Sequence, residues 1–151
     1  MENIFDVKTA QQYIDRINQL TPETAGKWGK MSVDQMLAHL NVQYEIIYQP
    51  EKHPKPGLIA GFMLRNFVKS KVVSQMPYRQ SIPTAPIFIM KGNKNFNEEK
   101  KRLIGFIQKT QEVGSEAFVG KKSQLFGKLT AQDCNNMLAE DVNHHLTQFG
   151  V

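Results

Sequence analysis

The residues able to do chemistry are few, and two of them stand one helical turn apart. Asp141 and His145 are four positions apart in Ala139-Glu140-Asp141-Val142-Asn143-His144-His145. In a helix that spacing points both side chains to one side, and the side continues an apolar stripe through Leu138. A carboxylate on an apolar face is costly unless it is paired or metal-bound. An Asp and a His at this spacing can share one divalent ion, as two histidines four apart do. His39 lies mid-helix in Leu37-Ala38-His39-Leu40 and is the natural third ligand from a facing helix. Three protein ligands leave positions open for water or substrate, which a catalytic metal requires. Two imidazoles and a carboxylate suit zinc, nickel, iron(II) or manganese. The competing arrangement is a buried ion pair, Asp141–His145 or Asp141–His144, with His39 bonded to a carbonyl or to Gln43.

The remaining candidates are weaker. His53 sits in the turn-rich Glu51-Lys52-His53-Pro54-Lys55-Pro56 and reads as an ordinary surface residue. Cys134 is the only cysteine, which excludes an internal disulfide and a Cys-rich zinc finger and fits a reducing compartment. It stands about two turns before Asp141 on a similar face and reads as a small buried residue, not a nucleophile. No Ser-His-Asp spacing and no phosphate-cradling glycine loop suggests another mechanism.

These side chains must be held by helices, because apolar spacings of three and four recur and strand-like alternation is scarce. Asp6 caps a first helix from about Val7 to Leu20, stopped by Thr21-Pro22. Ser32 with Gln35 forms a capping box for a second helix that Pro50 ends. A third, less regular segment covers about Gly57 to Ser74. Three prolines make Met76 to Met90 mostly an extended loop. Asn95 opens another helix that Gly114 closes, and the last runs from Thr130 to about Phe149. The expectation is one domain over residues 1–151: an all-α four-helix bundle with an extra short helix in the long connection between the second and third core helices.

Composition narrows the class further. Hydrophobic residues are 40% and charged residues 22% of 151, which excludes wholesale disorder and rod-like chains. No stretch approaches the roughly 20 apolar residues of a membrane span, and the N-terminus has no signal-peptide pattern, so a cytoplasmic protein without stable membrane insertion is expected. The net charge of +5 tolerates anionic partners but does not demand nucleic acid. Lys52, Lys55, Arg65, Lys69, Lys71 and Arg79 alternate with Leu58, Ile59, Phe62 and Phe67. Such a segment can touch anionic lipid or nucleic acid, but the favoured reading is a peripheral helix packed on the bundle or at a dimer interface.

The segment Trp28-Gly29-Lys30-Met31-Ser32-Val33-Asp34-Gln35-Met36-Leu37-Ala38-His39-Leu40 resembles the first signature of the DinB-like, or YfiT-like, superfamily. More narrowly it resembles a bacterial branch of that superfamily, a domain of unknown function. Pro83-Thr84-Ala85-Pro86, Phe126-Gly127-Lys128-Leu129-Thr130 and the ending His144-His145-Leu146-Thr147-Gln148-Phe149-Gly150 resemble the branch as well. The resemblance implies a four-helix bundle, often a homodimer, with a divalent metal held by three histidines. One ligand matches His39. The other two form a His-x-x-x-His pair whose second member matches His145 and whose first falls on Asp141, where this chain departs from the pattern. The branch also shows His-Pro before its Phe-Gly, where this chain has Ser123 and Gln124. Either Asp141 supplies a harder, anionic ligand, or the site has decayed; His144, about 100° around the helix from His145, is a substitute ligand if the helix is rotated. The activities implied are a thiol-dependent transferase using a low-molecular-weight thiol, or a metal-dependent hydrolase of a small molecule. The alternative is a non-catalytic dimeric bundle with a degenerate metal site that binds a small ligand or a protein partner.

Overall fold

Asp6 starts the first helix by accepting a hydrogen bond from the Thr9 backbone N–H at 3.1 Å in the computed structural model, which describes residues 2–151. That helix, α1 (Val7–Gln19), buries Ala10, Tyr13, Ile14 and Ile17 along one face. The Gln35 side chain accepts from the Ser32 N–H at 3.3 Å and opens α2 (Val33–Tyr48). Every residue of α2 from Met36 to Ile47 is buried, so this helix is the axis of the molecule. α3 occupies positions 58–72: an α-helical start (Leu58–Met63), a π-helical turn (Leu64–Val68) and an α-helical end (Lys69–Val72). Asn95 caps α4 (Phe96–Val113), and Gly114 at φ +67° closes it. Thr130 and Asp133 satisfy each other's backbone N–H groups at 3.0 Å and open α5 (Ala131–Gln148).

Four long helices share one core. α2 contacts α4 and α5, and α1 contacts the same two. Tyr13, Ile17, Met36, Leu37, Leu40, Leu103, Ile107, Leu138 and Leu146 are at most 2% exposed. Each such side chain contributes about 1.5–3 kcal/mol relative to leaving it in water. The all-α expectation therefore holds, with two differences of detail. The expected helix over 57–74 is broken into α and π turns. A two-residue antiparallel hairpin, β1 (Lys122–Ser123) with β2 (Gly127–Lys128), lies between α4 and α5, where no sheet was expected. It is stabilised locally: the Ser123 hydroxyl accepts from the Leu125 and Phe126 N–H groups at 3.2 and 3.3 Å.

One buried charge fixes the α2–α4 contact. Glu45 of α2 accepts from Arg102 of α4, and Arg102 also donates to Glu99 at 2.8 Å. Asn41 donates to the Glu99 carbonyl at 2.9 Å and to its carboxylate at 2.7 Å. His53 completes this cluster, its Nε2 lying 2.7 Å from Glu45 Oε2. The surface role expected for His53 is thus corrected: a carboxylate buried in α2 must be surrounded by donors, and the turn after α2 brings the imidazole back to supply one.

The core makes a quantitative forecast. Ile107, fully buried on α4, leaves a cavity when cut to alanine, and Ile107→Ala is expected to cost about 2–5 kcal/mol of unfolding free energy in urea titrations. Lys101→Ala, on the exposed side of the same helix, should cost less than about 0.5 kcal/mol.

Candidate metal centre

α2 and α5 bring three side chains to one point between them. His39 is 6% exposed, Asp141 8% and His145 8%. A ligand atom from each lies within 4.8 Å of the other two. The two imidazole rings are 4.6 Å apart between centroids and inclined at 68°. His145 Nε2 is 3.7 Å from Asp141 Oδ1. All three side chains meet, on residues that are largely buried.

The protons on these rings are fixed by their neighbours. His39 Nδ1 is 3.0 Å from the Phe88 carbonyl oxygen, which can only accept, so Nδ1 carries the hydrogen. His145 Nδ1 is 2.7 Å from Gln148 Oε1. The orientation of that amide is set in turn, because Gln148 Nε2 donates to the Trp28 carbonyl at 2.7 Å. Oε1 must therefore accept, and His145 Nδ1 must donate. Burial lowers the His145 pKa from 6.5 to about 4, with His39 acting in the same direction and Asp141 opposing both. At neutral pH His145 is an uncharged imidazole whose Nε2 presents a lone pair.

That lone pair faces Asp141 at a distance too long for a hydrogen bond, with no proton between the two atoms. The buried carboxylate makes no side-chain hydrogen bond among the described residues. The ion-pair alternative would need His145 charged, and burial opposes that charge. Two imidazole lone pairs and a carboxylate converging without a donor is the donor set of a divalent cation, each histidine oriented from behind by an acceptor. The residues fit the group.

A half-buried rim surrounds the cluster. Phe88 lies 5.4 Å from the His39 ring, while Trp28 and Tyr78 flank His144 at 5.8 and 5.9 Å. His144 belongs to this rim and is not one of the three clustered ligands, so the structure does not bring it in as the substitute. Tyr78 ties the long connection down: its N–H donates to Glu140 at 2.8 Å and its hydroxyl to the Val72 carbonyl at 2.8 Å. Burial pushes the Tyr78 pKa up, and Asp141 and Glu140 add to that push. Tyr44, wholly buried on α2, has a hydroxyl with no hydrogen-bond partner among the described residues; burial and the Asp141 charge hold it protonated. Cys134 is buried and its thiol pKa is pushed up to about 11, so it is no nucleophile at neutral pH. Gln124 does not approach the cluster; its amide donates to the Pro50 carbonyl.

The orienting groups escaped the sequence to different degrees. Gln148 stands three residues after His145, a helical neighbour that the spacing alone could have flagged. Phe88 acts through its backbone carbonyl across 49 positions, and no side-chain pattern reports that. No protein-family model, curated protein or solved structure matches the chain.

Two outcomes follow from this geometry. Gly29 is at φ +83°, and a Cβ there would stand 2.5 Å from Gln148 Nε2, so alanine would push the amide off His145. Gly29→Ala and Gln148→Leu are each expected to weaken zinc or nickel affinity about 10–100-fold in calorimetric titrations, with helicity kept. The second concerns pH. Between about 6.5 and about 4 the unfolded chain holds a proton on residue 145 that the folded chain lacks. The metal-free protein therefore loses stability as pH falls through that window, by roughly 3 kcal/mol from this group. His145→Gln should remove that part of the slope in urea titrations run across a pH series.

Proposed function

We propose that His39, Asp141 and His145 hold a divalent cation and that the chain is a metal-dependent enzyme acting on a small molecule. The observation that carries this reading is the opposition of acceptors: both Nδ1–H donors are spent on Phe88 and Gln148, leaving two Nε2 lone pairs beside a buried carboxylate. A cation held by His39, Asp141 and His145 would supply Lewis acidity, lowering the pKa of a thiol or water beside it. The protein residues supply the rest. Phe88 and Gln148 take the Nδ1–H groups and aim the rings, while burial keeps His145 neutral. Phe88 packs against the His39 ring, and Trp28 and Tyr78 pack against the neighbouring His144.

The resemblance of the Trp28–Leu40 and His144–Gly150 segments to the DinB-like superfamily supports the same reading. It points to a thiol-dependent transferase or a hydrolase. It also supports a homodimeric bundle. The donor set suits zinc, nickel, iron(II) or manganese, and Asp141 makes it harder and more anionic than three histidines would.

Elemental analysis tests the reading, on protein purified without chelator or immobilised nickel. About one divalent ion per chain is expected, lost in His39→Ala and His145→Ala while helicity is retained. Asp141→His separates the two views of the aspartate. If Asp141 is a working ligand, the natural chain carries the ion. If the natural chain is metal-free and Asp141→His loads, the site has decayed, and the non-catalytic dimeric bundle is the correct description.

A further inference from the structure

The segment from Lys52 to Asn97 contains no aspartate or glutamate, yet it carries eight lysines and arginines. The rest of the chain, with eleven basic and fourteen acidic residues, is net acidic. The net positive charge of the molecule therefore resides in this segment, and α3 is the ordered helix within it. The β1–β2 hairpin adds to that surface: Lys69 donates to the Lys128 carbonyl at 2.6 Å, and the Arg65 side chain passes beside Gly127.

The same helix exposes its largest apolar side chains. Leu58 is 96% exposed, Ile59 83%, Phe62 60%, Phe67 55% and Met63 49%. The first four of these in sequence, at 58, 59, 62 and 63, form one outward stripe by α-helical spacing, while Leu64, Val68 and Val72 face the core. Phe67, four residues after Met63, extends the same stripe. The Phe62 and Phe67 rings meet edge-on at 6.4 Å between centroids, across a π-helical turn over Leu64–Val68. An exposed apolar stripe of this kind, on a segment that carries cations and no acids, marks an interaction surface.

We propose that the outer face of α3 docks on a membrane surface rich in anionic phospholipid. Leu58, Ile59, Phe62, Met63 and Phe67 enter the boundary between headgroups and acyl chains, while Lys55, Arg65 and Lys71 meet the lipid phosphates. Charge complementarity selects this occupant. A two-fold interface with a second copy would set this acid-free face against itself and bring cation to cation. A nucleic acid would satisfy the lysines and leave Leu58, Ile59 and Met63 with nothing to contact, since none of them stacks on a base or bonds a phosphate. Docking of this kind is peripheral: among the described residues no helix is long and apolar enough to cross a membrane.

Cosedimentation of the full chain with phosphatidylcholine vesicles, with and without phosphatidylserine, tests the proposal. The chain should pellet only with the serine lipid and be released by raised salt. Leu58→Ser/Phe62→Ser alters exposed positions and should keep its helicity, while the partition coefficient falls at least about tenfold. Lys55→Gln and Lys71→Gln should each lower it about fivefold. Four results would overturn the proposal: equal pelleting with pure phosphatidylcholine, no pelleting with phosphatidylserine at low salt, a solution dimer that Leu58→Ser/Phe62→Ser dissociates, or duplex DNA binding tighter than vesicle binding and indifferent to that double variant.

Discussion

Three hydrogen-bond acceptors face one another between α2 and α5, on residues that keep only 6–8% of their surface exposed, and the loops around them are arranged to hold that meeting. A buried polar atom ordinarily finds a donor. His39 and His145 have donors of their own but spend them on the far side of the ring, on the Phe88 carbonyl and the Gln148 amide. The near side is left with lone pairs and the Asp141 carboxylate. A charged His145 would relieve the conflict, yet burial among Leu138, Val142 and Leu146 disfavours that charge. The protein thus holds the donor set of a cation open by denying it the proton that would otherwise close it.

That arrangement depends on parts of the chain remote from the ligands. The turn at Pro86–Phe88 must present its carbonyl to His39, and it hangs in a connection of more than forty residues. The connection is pinned to α5 by two polar contacts, Asn136 to the Val73 carbonyl at 2.8 Å and the Tyr78 N–H to Glu140. At the other end, the loop before α2 must bring the Trp28 carbonyl to Gln148, with Gly29 leaving room for the amide. Each imidazole is therefore aimed by a loop, and each loop is fastened to the helix that carries Asp141 and His145.

The helices were legible because capping and periodicity are local. Asp6, Ser32 with Gln35, Asn95 and Thr130 with Asp133 all start helices where their side-chain chemistry places them. The meeting of His39, Asp141 and His145 was legible for the same reason, since spacing of four on a helix fixes direction and a mid-helix histidine among leucines points inward. What the chain did not disclose was set by contacts between distant segments. The π turn over Leu64–Val68 in α3 is one such feature, because the spacing of Leu64, Val68 and Val72 is that of an ordinary α-helix and does not report it. His53 looked like a loop residue because its partner, Glu45, looked like an ordinary polar position on a helix that turned out to be buried on every side.

The long connection thereby serves two chemistries that have opposite requirements. On its inner side it offers the Phe88 backbone carbonyl to His39 and the Tyr78 ring to His144. On its outer side it gathers cations and leaves apolar side chains in water, at a cost that solubility alone would not tolerate. The inner anchors, Val73 and Tyr78, grip α5 at Asn136 and Glu140, the latter adjacent to Asp141. Holding α3 against the bundle and holding the Phe88 carbonyl against His39 are consequently tasks of one connection. A fold that needed only to seat three ligands could use a short polar loop here, and the acid-free helix is the part of this chain that such a need does not explain.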